Sequence, residues 1–395
     1  MDVDFVIAIS VFIFIIAFVA IYITNYLSSF QVDVLEYKAK ASEIIERVFG
    51  EPTEKEVYID PRLTEKIKRI PIAIREREGY QFINEPIALD IIFDKDCKKI
   101  AWNSTIRAYD ENLIEIPIKL SYQNFCEDQF LNKSIVTLFS NISGKSIERV
   151  FIYFSDNKEI LPKSYGDFNL VAYYKLDENY GEIAKDYSGN EFNATLKNDT
   201  TSCFNNDCPT WVEGKFGYAL QLDGINDYLD CSDLNKDIKT IEFWIKPNDD
   251  NSVLLQLSSS VNIIIENSNI KANGFVSPII YVNGIENESI NLNDWNYVLI
   301  TTNESIEIKN CAIGKVGNEF YNGTIDDIRF WNITKNESYV IARNSSYLDF
   351  QIYPEEEIYV VSSRRLNQIR NLSYDYVRGL LELNYRLRLE VSPRD

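Results

Sequence analysis

From about residue 67 onward the chain is written in short runs whose apolar residues recur at every second position: IPIAI, IALDIIF, IEIPIKL, SIVTLF and RVFIYFS, separated by charged or Asn-rich turns. A period of two sends alternate side chains to opposite faces of an extended strand, which a helix of 3.6 residues per turn cannot do. Runs this short, bounded by turn formers, predict an all-β sandwich over residues 65–163. The same signal recurs in TIEFWIK, where Ile241, Phe243 and Ile245 face one way and Thr240, Glu242, Trp244 and Lys246 the other. This spacing predicts a strand with one buried face, and a slip of one residue would bury Glu242 and Lys246. Gly217, Gly224, Gly284 and Gly323 fall between runs, where turns need positive φ.

The ends of the chain read differently. Phe5 to Ile23 contains no charge, no Gly and no Pro. As a helix it would rise roughly 28 Å, close to the ~30 Å of bilayer hydrocarbon, so residues 1–30 are expected to be a membrane anchor. Asp2 and Asp4 stand where a cleaved signal or a pilin-like leader carries basic residues, which favours an uncleaved anchor. Residues 31–52 follow with Leu35, Ala39, Ile44, Ile45 and Val48 near helical spacing and a Gly50, Pro52 stop, a helical stalk. Residues 355–395 carry EIYVVSS, the helix-like RRLNQIRNLSYDYVRGLLEL and the alternating YRLRLEV, which predict a small α+β element.

Lys38 and Lys40, the only basic residues near the span, argue against an exterior bulk, whereas two other features argue for it. The six cysteines, Cys97, Cys126, Cys203, Cys208, Cys231 and Cys311, form no CxxC pair, and disulfides are the expected state of an exported chain. Cys97 and Cys126 fall inside the first β region and are expected to pair. The other four allow three pairings; a short Cys203–Cys208 staple would leave Cys231 with Cys311. Asn-x-Ser/Thr occurs twelve times, at Asn103, Asn132, Asn141, Asn193, Asn198, Asn287, Asn303, Asn322, Asn332, Asn336, Asn344 and Asn371, as a glycosylated exterior would have it. The formal charge of −20 opposes binding to nucleic acid, and the absence of histidine removes the commonest general base and transition-metal ligand.

Five blocks then follow in order: LVAYYKLDENYGEIAKDYSGNEFNATL, WVEGKFGYALQLDGINDYLDC, TIEFWIKP, DWNYVLITT and FYNGTIDDIRFWN. Together they resemble a laminin-G-like jelly-roll module of the concanavalin A-like lectin and glucanase superfamily, over about residues 168–350. The resemblance implies two curved antiparallel sheets and, usually, binding rather than catalysis. The region before it, with STIRAYDENLIEIPIKL and NISGKSIERVFIYFSDNKE, is similar to a small β-module that often precedes such a module in archaeal and bacterial surface proteins. The fold class expected is mainly β: a transmembrane helix, a small sandwich, a jelly-roll sandwich and a short C-terminal α+β element.

Carboxylates gather at the turns of the second module: Asp177 and Glu178, Asp186, Asp223 and Asp227, Asp326 and Asp327. Oxygen-rich turns suit Ca²⁺, for which Asp223, Asp227 and Asp326 are the candidate ligands, although Asp-Gly and Asn-Asp are also ordinary turn formers. DLNKDIKTIE begins like an EF-hand loop but puts Ile238 where Gly is needed and Trp244 where Glu is needed. Retaining glucanases need two carboxyl groups about 5 Å apart, usually on one strand, and no Glu-x-Asp occurs here. A GxSxG or phosphate-binding loop is missing too, so no catalytic residue is assigned. Tyr173, Tyr174, Trp211, Trp244, Trp295 and Trp331 are candidates to stack on sugar rings, or to pack in the core. The function expected is a membrane-anchored exterior protein that binds a glycan or a surface partner without catalysis. A structural envelope or filament-associated subunit is the alternative.

Overall fold

The computed structural model describes residues 67–357, apart from 113, 159–167, 199–200, 203–207 and 233, together with the backbone of a two-residue pairing between Phe5–Val6 and Ser392–Pro393. The rest of the expected anchor, the stalk and the C-terminal element lie outside the described residues. Among the described residues no helix is long and apolar enough to cross a membrane.

The described chain is mainly β, with four larger antiparallel sheets, a short hairpin of Lys315–Val316 with Glu319–Phe320, and one α-helix, Glu337–Ser345. In the first sheet Lys68–Arg75 pairs with Ile147–Phe154, which pairs with Arg107–Asp110 and through it with Glu115–Ile116. The second sheet is Phe82–Ile92, Phe130–Ile142 and Ile118–Glu127. Ile70, Ile72, Ile74, Val150, Ile152 and Phe154 of the first meet Ile87, Leu89, Ile91, Val136 and Leu138 of the second in one core, the sandwich that the alternation predicts. Its outer strand comes from far downstream. Asp349–Ile352 pairs with Lys68–Arg75 (Arg75 opposite Asp349, Ile72 opposite Ile352), and Glu357 lies opposite Lys68. The second sandwich is thus inserted between two strands of the first, and the described chain enters and leaves side by side.

The third sheet runs Thr210–Glu213, Tyr218–Asp223, Asn322–Trp331, Asp237–Pro247, Asn296–Glu307, Ile279–Val282 and Ile285–Glu286, with Leu170–Tyr174 also on Asn322–Trp331. The fourth carries Ala194–Asn198, Asp227–Asp230, Ala312–Ile313, Ser252–Gln256, Asn262–Glu266 and Asn269–Asn273 across its middle. Between them lies the largest core, including Ile241, Phe243, Ile245, Val298, Ile300, Ile325, Ile328 and Phe330. Cys231–Cys311 and Cys97–Cys126 are both formed, as expected. Cys203, the expected partner of Cys208, lies outside the described residues.

One expectation is overturned. Glu242 and Trp244 belong to the face of TIEFWIK that should meet water, yet they are 0% and 3% exposed. The second sheet covers part of that face through Ala88, Ile135 and Phe139 against Leu170, Tyr173 and Trp331. The helix covers another part, with Val340 against Trp244, Tyr281, Tyr297 and Leu299. Two covers supplied from elsewhere in the chain make a strand with two buried faces, which local alternation cannot foresee.

Candidate binding site

The outer face of the third sheet is polar at its centre because of one irregularity. Opposite Asp237–Pro247, Arg329 pairs with Glu242 but Asp326 pairs with Trp244, so Asn322–Trp331 carries one extra residue there. Asp327 sits in this bulge at φ 48°. Ile325 and Ile328 consequently both enter the core, and the two aspartates between them both face outward.

Asp327 joins a buried ionic cluster. Arg343 of the helix donates to Asp327 Oδ2, and Arg329 Nε lies 3.4 Å from its Oδ1. Arg329 also donates to Glu85 Oε1 of the second sheet at 2.7 Å and to Tyr173 Oη at 3.0 Å. Glu242 accepts from Tyr297 (2.6 Å), Trp331 Nε1 (2.8 Å) and Tyr339 (2.6 Å). Lys335 lies over the Trp331 ring at 3.4 Å and the Tyr339 ring at 4.1 Å. Burial would raise the Asp327 and Glu242 carboxyls, but the two guanidiniums overcome it and hold both below their usual values. Burial brings Lys335 down to about 8. Three carboxylates face three cations here, and the cluster fastens sandwich to sandwich. At the same junction Glu76 is buried, but the Ser346 hydroxyl and the N–H groups of Lys145, Gly79 and Glu78 bring its pKa down to about 2.

Asp326 lies under a turn. Its Oδ2 accepts from the Phe216 N–H at 3.0 Å, and a β-carbon at Gly214 would fall 2.7 Å from that same oxygen. From outside, Asp177 Oδ1 accepts from Tyr218 N–H at 2.9 Å, and it lies where a β-carbon of Gly217 (φ 58°) would be. Two carboxylates therefore clamp the GKFG turn, and both glycines are required by close approach. Phe216 stands edge-on to Trp244 (5.6 Å) and stacks on Tyr347 (4.9 Å, 16° between planes). Trp211 Nε1 donates to Gly181 O at 3.1 Å, which brings the loop bearing Tyr180 to the same rim. Tyr180, Tyr347 and Tyr218 are 79%, 50% and 40% exposed. This rim offers aromatic planes, backbone amides and the Asp177 carboxylate at one end of the inserted sandwich.

The sequence candidates divide accordingly. Tyr173, Tyr174, Trp244 and Trp331 are buried and cannot stack on a ligand in this arrangement, while Trp211 and Trp295 are half-buried. Sequence reasoning does not reach Phe216, Tyr180, Tyr218 or Tyr347; the GKFG turn is a signal for the place of Phe216 alone. The calcium set does not converge. Asp223 lies opposite Asn322, four positions along the strand from Asp326, and accepts from Ile225 and Asn226 of its own turn. Asp227 is buried opposite Asn198 in the fourth sheet. Among the described residues no three His, Cys, Asp or Glu side chains are grouped to hold a metal, and Asp223, Asp227 and Asp326 do not fit a shared ion. Asp186 is spent internally, accepting N–H bonds from Tyr173, Ser188 and Phe192. None of the eleven described acceptor asparagines is buried; Asn371 lies outside the described residues.

Two other surfaces compete less well. On the fourth sheet Tyr228 and Phe320 form an aromatic pair, but Lys315 occupies it at 4.5 and 4.9 Å. A concavity of about 370 Å³ at the end of the first sandwich is lined by Lys and Asp side chains already paired, as in Lys68–Glu355 and Lys98–Asp96.

No protein-family model matches this sequence. No curated protein matches it either. Among solved structures the chain is similar to domain 4 of AbnA, a GH43 extracellular arabinanase from Geobacillus stearothermophilus, in complex with arabinotriose: 16% identity, 44% of this chain, 97% of that one, TM-score 0.32. It is similar to Trypanosoma rangeli sialidase in complex with sialic acid at 11% identity over 58% of this chain, TM-score 0.30, and spans 44% of the sialidase. It is also similar to a putative carbohydrate binding protein from Bacteroides ovatus, at 9% identity over 72% of this chain and 97% of that one, with a TM-score of 0.22.

Proposed function

We propose that this chain is a membrane-anchored exterior protein whose inserted sandwich, of laminin-G-like type, binds a glycan without catalysis through loops at one end. The observation that carries the reading is the rim itself: Tyr180, Tyr218 and Tyr347 exposed around a carboxylate-clamped turn, with Trp211 and Phe216 half-buried behind them. Aromatic faces and hydrogen-bond acceptors held on rigid strands are what a sugar ring needs, an apolar face and a fringe of hydroxyls. The sheet face that could have served instead is covered by the second sheet and the helix, which leaves the loops. The two formed disulfides and the surface position of the described acceptor asparagines are consistent with an oxidising exterior. Anchoring rests on the uncharged stretch Phe5–Ile23.

The test is a glycan array probed with the full chain in detergent, with calcium and with chelator. Binding that survives chelator and is lost in Tyr347→Ala with Tyr180→Ala is expected. Silence across the array in both conditions would overturn the glycan reading in favour of a structural envelope subunit.

A further inference from the structure

Beneath the GKFG turn, two buried polar atoms have no partner. Trp244 Nε1 is a donor without an acceptor, Asp326 Oδ1 an acceptor without a donor, and their residues are cross-strand neighbours. Both residues are buried, and such orphans are rare in native proteins because a polar atom that gives up water without gaining a partner is costly. Here the orphan donor and the orphan acceptor belong to cross-strand neighbours, and that pairing has a chemical complement. A hydroxyl accepts from the indole N–H through its oxygen and gives its hydrogen to the carboxylate, satisfying both with one atom.

A metal ion fits the same place badly. The indole would point a positive hydrogen at it, and the Lys215 ammonium lies 4.5 Å over the Trp244 ring. The cover is slight: Phe216 rests edge-on against Trp244, its N–H bonds the other Asp326 oxygen, and glycines stand at both ends of the turn. On its outer side the turn carries the exposed rim through the Phe216–Tyr347 stack. The surrounding charge also selects. Asp177 holds the turn at the rim, and the chain carries a net charge of −20, which disfavours an anionic sugar.

We propose that Trp244 and Asp326 form the inner subsite of the rim, receiving one hydroxyl of a neutral sugar ring as the Gly214–Gly217 turn moves aside. The inference rests on the glycan reading and names the ligand class, neutral rather than acidic, and the residues that read one hydroxyl.

The experiment measures binding of the full chain in detergent to the best neutral oligosaccharide from the array and to its series of monodeoxy analogues. Trp244→Phe, which keeps the ring and removes the N–H, is expected to weaken binding by about tenfold or more. One analogue should bind wild type that weakly too, and should bind wild type and Trp244→Phe alike, because the hydroxyl and its donor are lost together. Asp326→Asn should behave in the same way. Sugar should also shift tryptophan emission in wild type, and by a smaller amount in Trp244→Phe, where Trp211 at the rim is left to report. Full affinity of Trp244→Phe for every analogue, with Tyr347→Ala still defective, would overturn the subsite and leave the rim reading standing. Tighter binding of sialylated or uronic-acid glycans than neutral ones would overturn the ligand class. Failure of wild type to bind any glycan would remove the glycan reading itself, and the subsite with it.

Discussion

Asp326 and Asp327 are consecutive, both buried, and both turned to the outer face by the same bulge, yet their surroundings shift the two carboxyls in opposite directions. Asp327 meets Arg329 and Arg343 and is held ionised, below the usual carboxylate range. Asp326 has no cation beside it, and burial, with the like charge of Asp327, pushes its carboxyl well above the usual range against the backbone N–H groups of Phe216 and Asp327. Burial alone therefore does not decide what an acid does inside a protein; the partner does. One aspartate helps fasten the molecule, and the other is left with an unused oxygen.

The largest expected effect breaks the fastened side. Arg329→Ala should cost about 3–5 kcal/mol in a urea titration, because Glu85 and Asp327 would be left buried with too little positive charge. Replacing Arg329 and Glu85 together by Met and Leu should recover most of that loss, since it removes the uncompensated charge along with the pair. A double variant no better than Arg329→Ala would show that packing, not charge, holds the junction.

Next comes the turn. Gly214→Ala should lower stability by about 1–3 kcal/mol, since the new methyl meets the Tyr218 carbonyl oxygen at 2.6 Å and Asp326 Oδ2 at 2.7 Å. An unchanged melting temperature would mean that the turn yields freely.

The two acids should also give stability slopes of opposite sign. Asp327 and Glu242 have lowered values in the folded state, so their contribution is present above the ordinary values of 3.8 and 4.5 and is lost as pH falls below them. Glu76 adds to this limb, its contribution fading from pH 4.5 down to about 2. Asp326 has a raised value, so it favours the fold in acid and withdraws that support as pH rises through the raised value. Asp326→Asn should thus flatten the alkaline side of the stability curve and leave the acid side steep. Equal curves for wild type and variant on the alkaline side would contradict the assignment. Smallest for stability is Tyr347→Ala, within about 0.5 kcal/mol as for other exposed sites. Its effect belongs to binding.

Much of the scaffold was legible in the residues. The strands Lys68–Arg75, Phe82–Ile92 and Asp237–Pro247 fall where apolar residues alternate, and Gly217, Gly224 and Gly284 take the positive φ expected of them. The Cys97–Cys126 bond follows from their sharing one β region, whereas Cys231–Cys311 is one of three pairings that the sequence leaves open and the fold selects. The site was legible only in part. Of the two roles open to Trp244 in the sequence, sugar stacking or core packing, the structure takes the second: its ring is buried and its N–H is the notable atom. Tyr180, Tyr218 and Tyr347 were passed over because nothing local distinguishes an exposed tyrosine from a core one. Asp223, Asp227 and Asp326 looked alike as turn acids and were separated only by strand register.

By itself, then, the order of residues determined which segments extend, where they turn and which side of each strand is apolar, because these depend on neighbours two to four positions away. It could not determine that Glu242 would be buried. That needed Arg343 on a helix just over a hundred positions later, and a second sheet whose Glu85 stands 244 residues from Arg329. Nor could it determine that both aspartates of IDDIRF face outward, since the bulge answers to the register of the opposite strand. Whether a buried charge finds its counter-charge is a property of segments brought together by the whole fold, and only the tertiary structure decides it.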